Sequence, residues 1–127
     1  MQVFKTKWLT RFAKLERIAD ASLHEAIARA ERGLVDADLG GGLIKQRVAR
    51  RGKGRSGGYR MLIAYRLKKR AIFLYGFAKN ERANIGADEL LTARKIASSW
   101  LAADTGQLAR ALAEGELQEV LYDEKET

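Results

Sequence analysis

Between Leu39 and Asn80 the chain places twelve of its twenty-four Lys and Arg residues and no Asp or Glu. Within that window, the run from Lys53 to Arg82 combines Tyr, Phe, Ile and Leu at alternating spacing with a basic break at Leu67-Lys68-Lys69-Arg70. This pattern predicts a hairpin: one strand over about 58–66, a tight turn over 67–70 and a second strand over about 71–79. Alternation puts Arg60, Leu62, Ala64 and Arg66 on one face of the first strand and Tyr59, Met61, Ile63 and Tyr65 on the other. In the second strand it sets Phe73, Tyr75 and Phe77 against Ile72, Leu74, Gly76 and Ala78. A hairpin apolar on both faces needs cover on both sides, from helices on one and from a partner or a further helix on the other.

The residues before the hairpin extend the sheet. Leu43 to Ala49 reads as a strand that projects Leu43, Lys45 and Arg47 from one side and Ile44, Gln46 and Val48 from the other. The basic, glycine-rich segment 50–58 reads as a loop, able to wrap a phosphate backbone or to serve as a solvated connector. Gly40-Gly41-Gly42 reads as a turn. It lacks the spaced glycines, the Lys-Ser/Thr pair and the preceding strand of a P-loop.

Period-two spacing over Gln2–Thr6 predicts a short strand, and the spacing of Trp8, Leu9, Phe12, Leu15 and Ile18 predicts a helix with Trp8 and Phe12 in the core. Asp20 opens a second helix, ended by Gly33, whose buried stripe is Leu23, Ala26, Ile27 and Ala30. Residues 34–39 read as a connection. After a loop at 78–85, Asp88 starts a helix carrying Leu90, Leu91, Ile96, Trp100 and Leu101, followed by a shorter one around Leu108 and Leu112 closed by Gly115. From Glu114 to Thr127 there are six acids and one lysine. That tail either folds back on the basic surface or is a solvated end, and Leu117 to Tyr122 leaves room for a short added strand.

A length of 127 residues predicts one domain, and a net charge of +8 favours a nucleic acid or an acidic protein as partner. With no cysteine there is neither a disulfide framework nor a thiol nucleophile, and His24, the sole histidine, cannot build a metal site, so no cofactor is expected. His24 reads as a structural residue. No apolar run approaches a membrane span and the N-terminus lacks a signal-peptide core, which predicts a cytoplasmic protein with no membrane partner.

Four segments together carry a resemblance: Phe4-Lys5-Thr6-Lys7-Trp8, Asp36 to Arg47, Lys53-Gly54-Arg55-Ser56-Gly57-Gly58-Tyr59-Arg60, and Tyr75 to Ile85. They resemble the RelE/HigB-type toxins of bacterial type II toxin–antitoxin modules, in the RelE/ParE superfamily, over about residues 3–121. The resemblance implies an α+β RelE-like fold: a small antiparallel-rich sheet, made of an N-terminal strand plus a three-stranded meander, packed against two N-terminal helices, with C-terminal helices following. It also implies a metal-independent endoribonuclease that cuts messenger RNA on the ribosome, inhibits translation and is neutralised by a cognate antitoxin.

Metal-free RNA cleavage requires activation of a ribose 2′-OH, stabilisation of charge on the attacked phosphate and protonation of the leaving 5′-oxygen. On this chain Lys45, Arg47, Lys53 and Arg55 are the candidate RNA-binding groups, and Arg60 the candidate clamp on the attacked phosphate. Lys79 and Arg82 are candidate charge stabilisers, and Tyr65 or Tyr75 a proton-transfer or base-stacking residue. A carboxylate such as Glu81 is the other proton-transfer option. Two readings compete. One is a ParE-like toxin that poisons gyrase, and the other a non-catalytic nucleic-acid-binding module that uses the same basic sheet. Cations grouped on one sheet face, with Lys45, Arg47, Arg60 and Arg66 as the candidates, favour the nuclease.

Overall fold

The structure, a computed structural model, describes residues 1–50, 54–78 and 85–121, and the side chains of all of these except residues 50 and 54–57. In chain order the elements are β1 (Gln2–Thr6), α1 (Lys7–Glu16), α2 (Asp20–Glu31), β2 (Ala37–Gly40), β3 (Leu43–Arg50), β4 (Gly54–Arg66), β5 (Arg70–Ala78), α3 (Ala87–Ala102), α4 (Thr105–Ala113) and β6 (Leu117–Glu119). The strands form one six-stranded sheet in the order β2-β3-β4-β5-β1-β6. Only the β1–β5 pair is parallel; the others are antiparallel, so the fold is α+β as the sequence predicts.

Helices cover both faces, each with its own core. On one face α1 and α2 bury Leu9, Ala13, Leu23, Ala26 and Ile27 against Ile44, Val48, Met61, Ile63 and Phe73. On the other, α3 and α4 bury Ala97, Leu101, Leu108 and Ala111 against Phe4, Leu43, Leu62, Ala64 and Ile72. Thr6 joins the first layer to the sheet: its hydroxyl accepts from the Leu9 N–H and donates to the Leu74 carbonyl, at 3.1 and 3.0 Å. The triple-glycine turn is a packing device. Gly42 sits at φ +86°, a conformation that favours glycine, and a Cβ there would lie 2.5 Å from a methyl group of Leu101 on α3 and push that side chain aside.

Several local expectations are corrected. Residues 37–40 form edge strand β2, not a connection, and β4 begins at Gly54, inside the segment read as a loop. Trp8 is 43% exposed and Leu15, Leu91, Ile96 and Leu112 are also exposed, so helical spacing overstated the buried stripes of α1, α3 and α4. In β5 the alternation breaks. Ile63 pairs with Phe73 but Leu62 pairs with Tyr75, leaving Leu74 as an extra residue in a bulge. Phe73 therefore packs under α1 and α2, while Tyr75 packs with the opposite layer. Among the described residues no helix is long and apolar enough to cross a membrane. The end of the acidic tail, 122–127, lies outside the described residues.

Candidate nucleic-acid interface

Cross-strand register assembles the site. Lys45 stands opposite Leu62 and Arg47 opposite Arg60, while Arg60 stands opposite Phe77 and Leu62 opposite Tyr75. All six side chains thus share one sheet face, the face that α3 covers further along at Leu43, Ala64 and Ile72. The bulge is what adds the aromatic pair to the cations, because it re-phases β5 by one residue beyond Phe73.

The cations on this face are partly restrained. Beyond Lys45, β3 no longer has β2 as a neighbour, and side chains satisfy its edge instead. The Asp36 carboxylate accepts from the Arg47 backbone N–H at 2.7 Å and from the Arg47 guanidinium at 3.3 Å. Arg29, buried on α2, donates to the Arg47 carbonyl, bonds Glu25 at 2.9 Å and lies 3.6 Å from Asp36. Gln46, fully buried, fixes the same corner by accepting from the Asp36 N–H at 2.7 Å and donating to the Ala26 and Leu34 carbonyls. Burial alone raises the Asp36 pKa, but the Arg47 N–H, the Arg47 guanidinium and Arg29 outweigh it and hold the carboxyl below its ordinary value.

Arg60 differs from Arg47. One of its guanidinium nitrogens, Nη1, is buried without a hydrogen-bond partner among the described residues. Desolvation, followed by the neighbouring Arg47 charge, lowers the Arg60 pKa, with Asp36 opposing. A guanidinium beside a like charge, with a buried and unsatisfied donor, is stabilised when it turns that donor toward an anion at the surface.

An aromatic ladder borders the cations. Trp8 contacts Tyr75 with ring centroids 4.3 Å apart, Phe12 stacks on Trp8 at 5.2 Å, Tyr59 meets Phe12 edge-on, and Tyr75 lies 6.3 Å from Phe77. Trp8 and Tyr75 line an apolar groove of about 540 Å³ whose far wall is α3, at Asp88, Thr92 and Ile96.

The structure brings Lys45, Arg47, Arg60 and Tyr75 together. Tyr65 points to the other face, where its hydroxyl donates to Glu31; burial and that carboxylate push the phenol well above its ordinary pKa. It is not part of this cluster. Arg66 is not either: with Arg70 it donates to carbonyls at the C-terminus of α3, a role set by the helix dipole. Lys79 and Arg82, like Glu81, lie outside the described residues, as does Lys53; the Arg55 side chain is likewise not described. His24 has its ring Nε2 2.9 Å from the Val120 carbonyl, in keeping with a structural role. The sequence reading missed Asp36, Arg29 and Trp8 as members of this corner. Asp36 falls just outside the acid-free window, and no periodicity marks a carboxylate that stands in for a strand.

A small α+β fold with a cationic, aromatic sheet face opposite two N-terminal helices defines a class of compact basic proteins. The chain belongs to the RelE family: the family described as the RelE toxin of the RelE/RelB toxin–antitoxin system matches residues 1–120. It is thus the toxin component of such a system, and the family implies a cognate antitoxin as partner. A search of curated proteins found no match.

Proposed function

We propose that this toxin is a metal-independent endoribonuclease that cuts messenger RNA on the ribosome and is held inactive by its antitoxin. The observation that carries the reading is the buried, unpartnered Nη1 of Arg60 beside Arg47, on a face that also presents Lys45 and Tyr75. In this reading Arg60 and Arg47 hold the scissile phosphate and stabilise the charge that grows on it as the 2′-oxygen attacks. The 2′-oxygen loses its proton, forms a new bond to phosphorus and displaces the 5′-oxygen, which takes up a proton. Tyr75 is assigned to proton transfer or to stacking on the flanking base, and Lys79 and Arg82, placed by sequence just after β5, to charge stabilisation.

Gyrase poisoning is the second reading, and the grouping of Lys45, Arg47 and Arg60 on one sheet face favours RNA. Incubation of purified protein with messenger RNA, with and without ribosomes, followed by mapping of cut ends, tests the assignment. Cut ends support it. Intact RNA in both conditions together with inhibited supercoiling by gyrase overturns it.

A further inference from the structure

Among the described residues Asp36 is the one carboxylate that binds the cationic cluster directly, and it does so at an odd place. It takes the hydrogen-bonding position that a longer β2 would occupy against Arg47, so the strand edge is completed by a charged side chain. One oxygen is committed to the Arg47 backbone N–H; the other meets the Arg47 guanidinium at a longer 3.3 Å. The two contacts are unequal. The backbone bond belongs to the fold, whereas the guanidinium bond joins a side chain that is 44% exposed and free to swing toward another anion.

We propose that Asp36 is a positioning residue that acts as a resident counter-anion, holding Arg47 on the sheet face until an RNA phosphate takes its place. This rests on the RNA reading above. In the absence of RNA, Asp36 draws Arg47 to the β2 edge and offsets part of the repulsion between Arg47 and Arg60. When a phosphate reaches Arg60, it offsets the repulsion between Arg60 and Arg47 and offers Arg47 an anion in place of a carboxylate already shared with Arg29. The Arg47 backbone stays fixed throughout, because Asp36 and Arg29 hold its N–H and carbonyl. Asp36 therefore sets where Arg47 waits, and it weakens RNA binding by competing for it.

The test is the salt dependence of binding, read by fluorescence anisotropy with a labelled single-stranded oligouridine. Each phosphate neutralised on a single strand adds roughly 0.7 to the slope of log affinity against log salt. Asp36→Asn keeps an acceptor for the Arg47 N–H but removes the charge. It is expected to tighten binding several-fold at low salt and to leave the slope near the native value, because Arg47 reaches phosphate in both proteins. Adding Arg47→Ala to Asp36→Asn should abolish that gain. Arg47→Ala alone, which does not depend on Asp36→Asn folding, should flatten the native slope by a similar amount. An unchanged affinity in Asp36→Asn, with a native circular dichroism spectrum, overturns the proposal while leaving RNA recognition standing. An unchanged slope in Arg47→Ala overturns the exchange of Arg47 onto phosphate. Absence of salt-dependent binding by the native protein overturns this proposal and the RNA reading together.

Discussion

Tyr75 lies opposite Leu62 across the β4–β5 ladder, one residue out of phase with Phe73 opposite Ile63. That single-residue bulge moves Tyr75 from the α1–α2 side of the sheet to the side that carries Lys45, Arg47 and Arg60. It also brings the tyrosine ring against Trp8. Among the described residues the Tyr75 hydroxyl makes no hydrogen bond, so it is available to a ligand.

The two roles open to Tyr75 separate by substitution. If the hydroxyl transfers a proton, Tyr75→Phe keeps the ring contact with Trp8 and leaves RNA affinity within about twofold, while the cleavage rate falls roughly 10²-fold or more. Tyr75→Ala additionally weakens binding by about 1–2 kcal/mol through the lost stacking platform. Single-turnover cleavage combined with anisotropy distinguishes these outcomes. A Tyr75→Phe variant with full cleavage activity would restrict the residue to stacking.

Arg60 is expected to oppose stability and activity to each other. Replacing it by Met removes a desolvated charge beside Arg47 and the unsatisfied donor, so thermal stability should hold or rise by about 1 kcal/mol. RNA binding and growth arrest should be lost. Thermal denaturation alongside an expression-toxicity assay checks both halves of this statement.

Tyr65 supplies a control with its own pH signature. Its phenol pKa is raised in the folded chain, so its contribution is fully present below the unfolded value near 10 and is lost as pH rises through the folded value. Tyr65→Phe should leave RNA cleavage unchanged and flatten the loss of stability above about pH 10. Denaturation midpoints measured from neutral to alkaline pH would show this, and a cleavage defect in Tyr65→Phe would return the residue to the site.

Gln46 is the buried support of the corner. Gln46→Leu fills similar space but strips partners from the Asp36 N–H and from the Ala26 and Leu34 carbonyls. The expected cost is about 2–4 kcal/mol, measurable by urea denaturation. A cost below about 1 kcal/mol would mean that water replaces the amide.

Much of this architecture is legible in the residues. Alternation and the basic break locate β4, its turn and β5, and the same alternation correctly groups Lys45 with Arg47. What escapes is whatever depends on the third dimension. The bulge at Leu74 has no local signature, so counting by twos puts Tyr75 with Phe73. Trp8 looks like a core residue because helical spacing cannot tell a buried face from one at the rim of a groove. Arg66 follows strand phase onto the cationic face, yet the C-terminus of α3 claims it. Asp36 sits in a segment that reads as a connection, and only the end of β2 explains why a carboxylate is needed there.

The most direct measurement of the central claim is mapping of messenger RNA 5′ ends from cells expressing the native toxin or Arg60→Met without antitoxin. The account predicts new cut ends within translated messages for the native protein and none for Arg60→Met at equal protein level. Cut ends of equal abundance in both would contradict it, since the unpartnered guanidinium would then play no part in the chemistry.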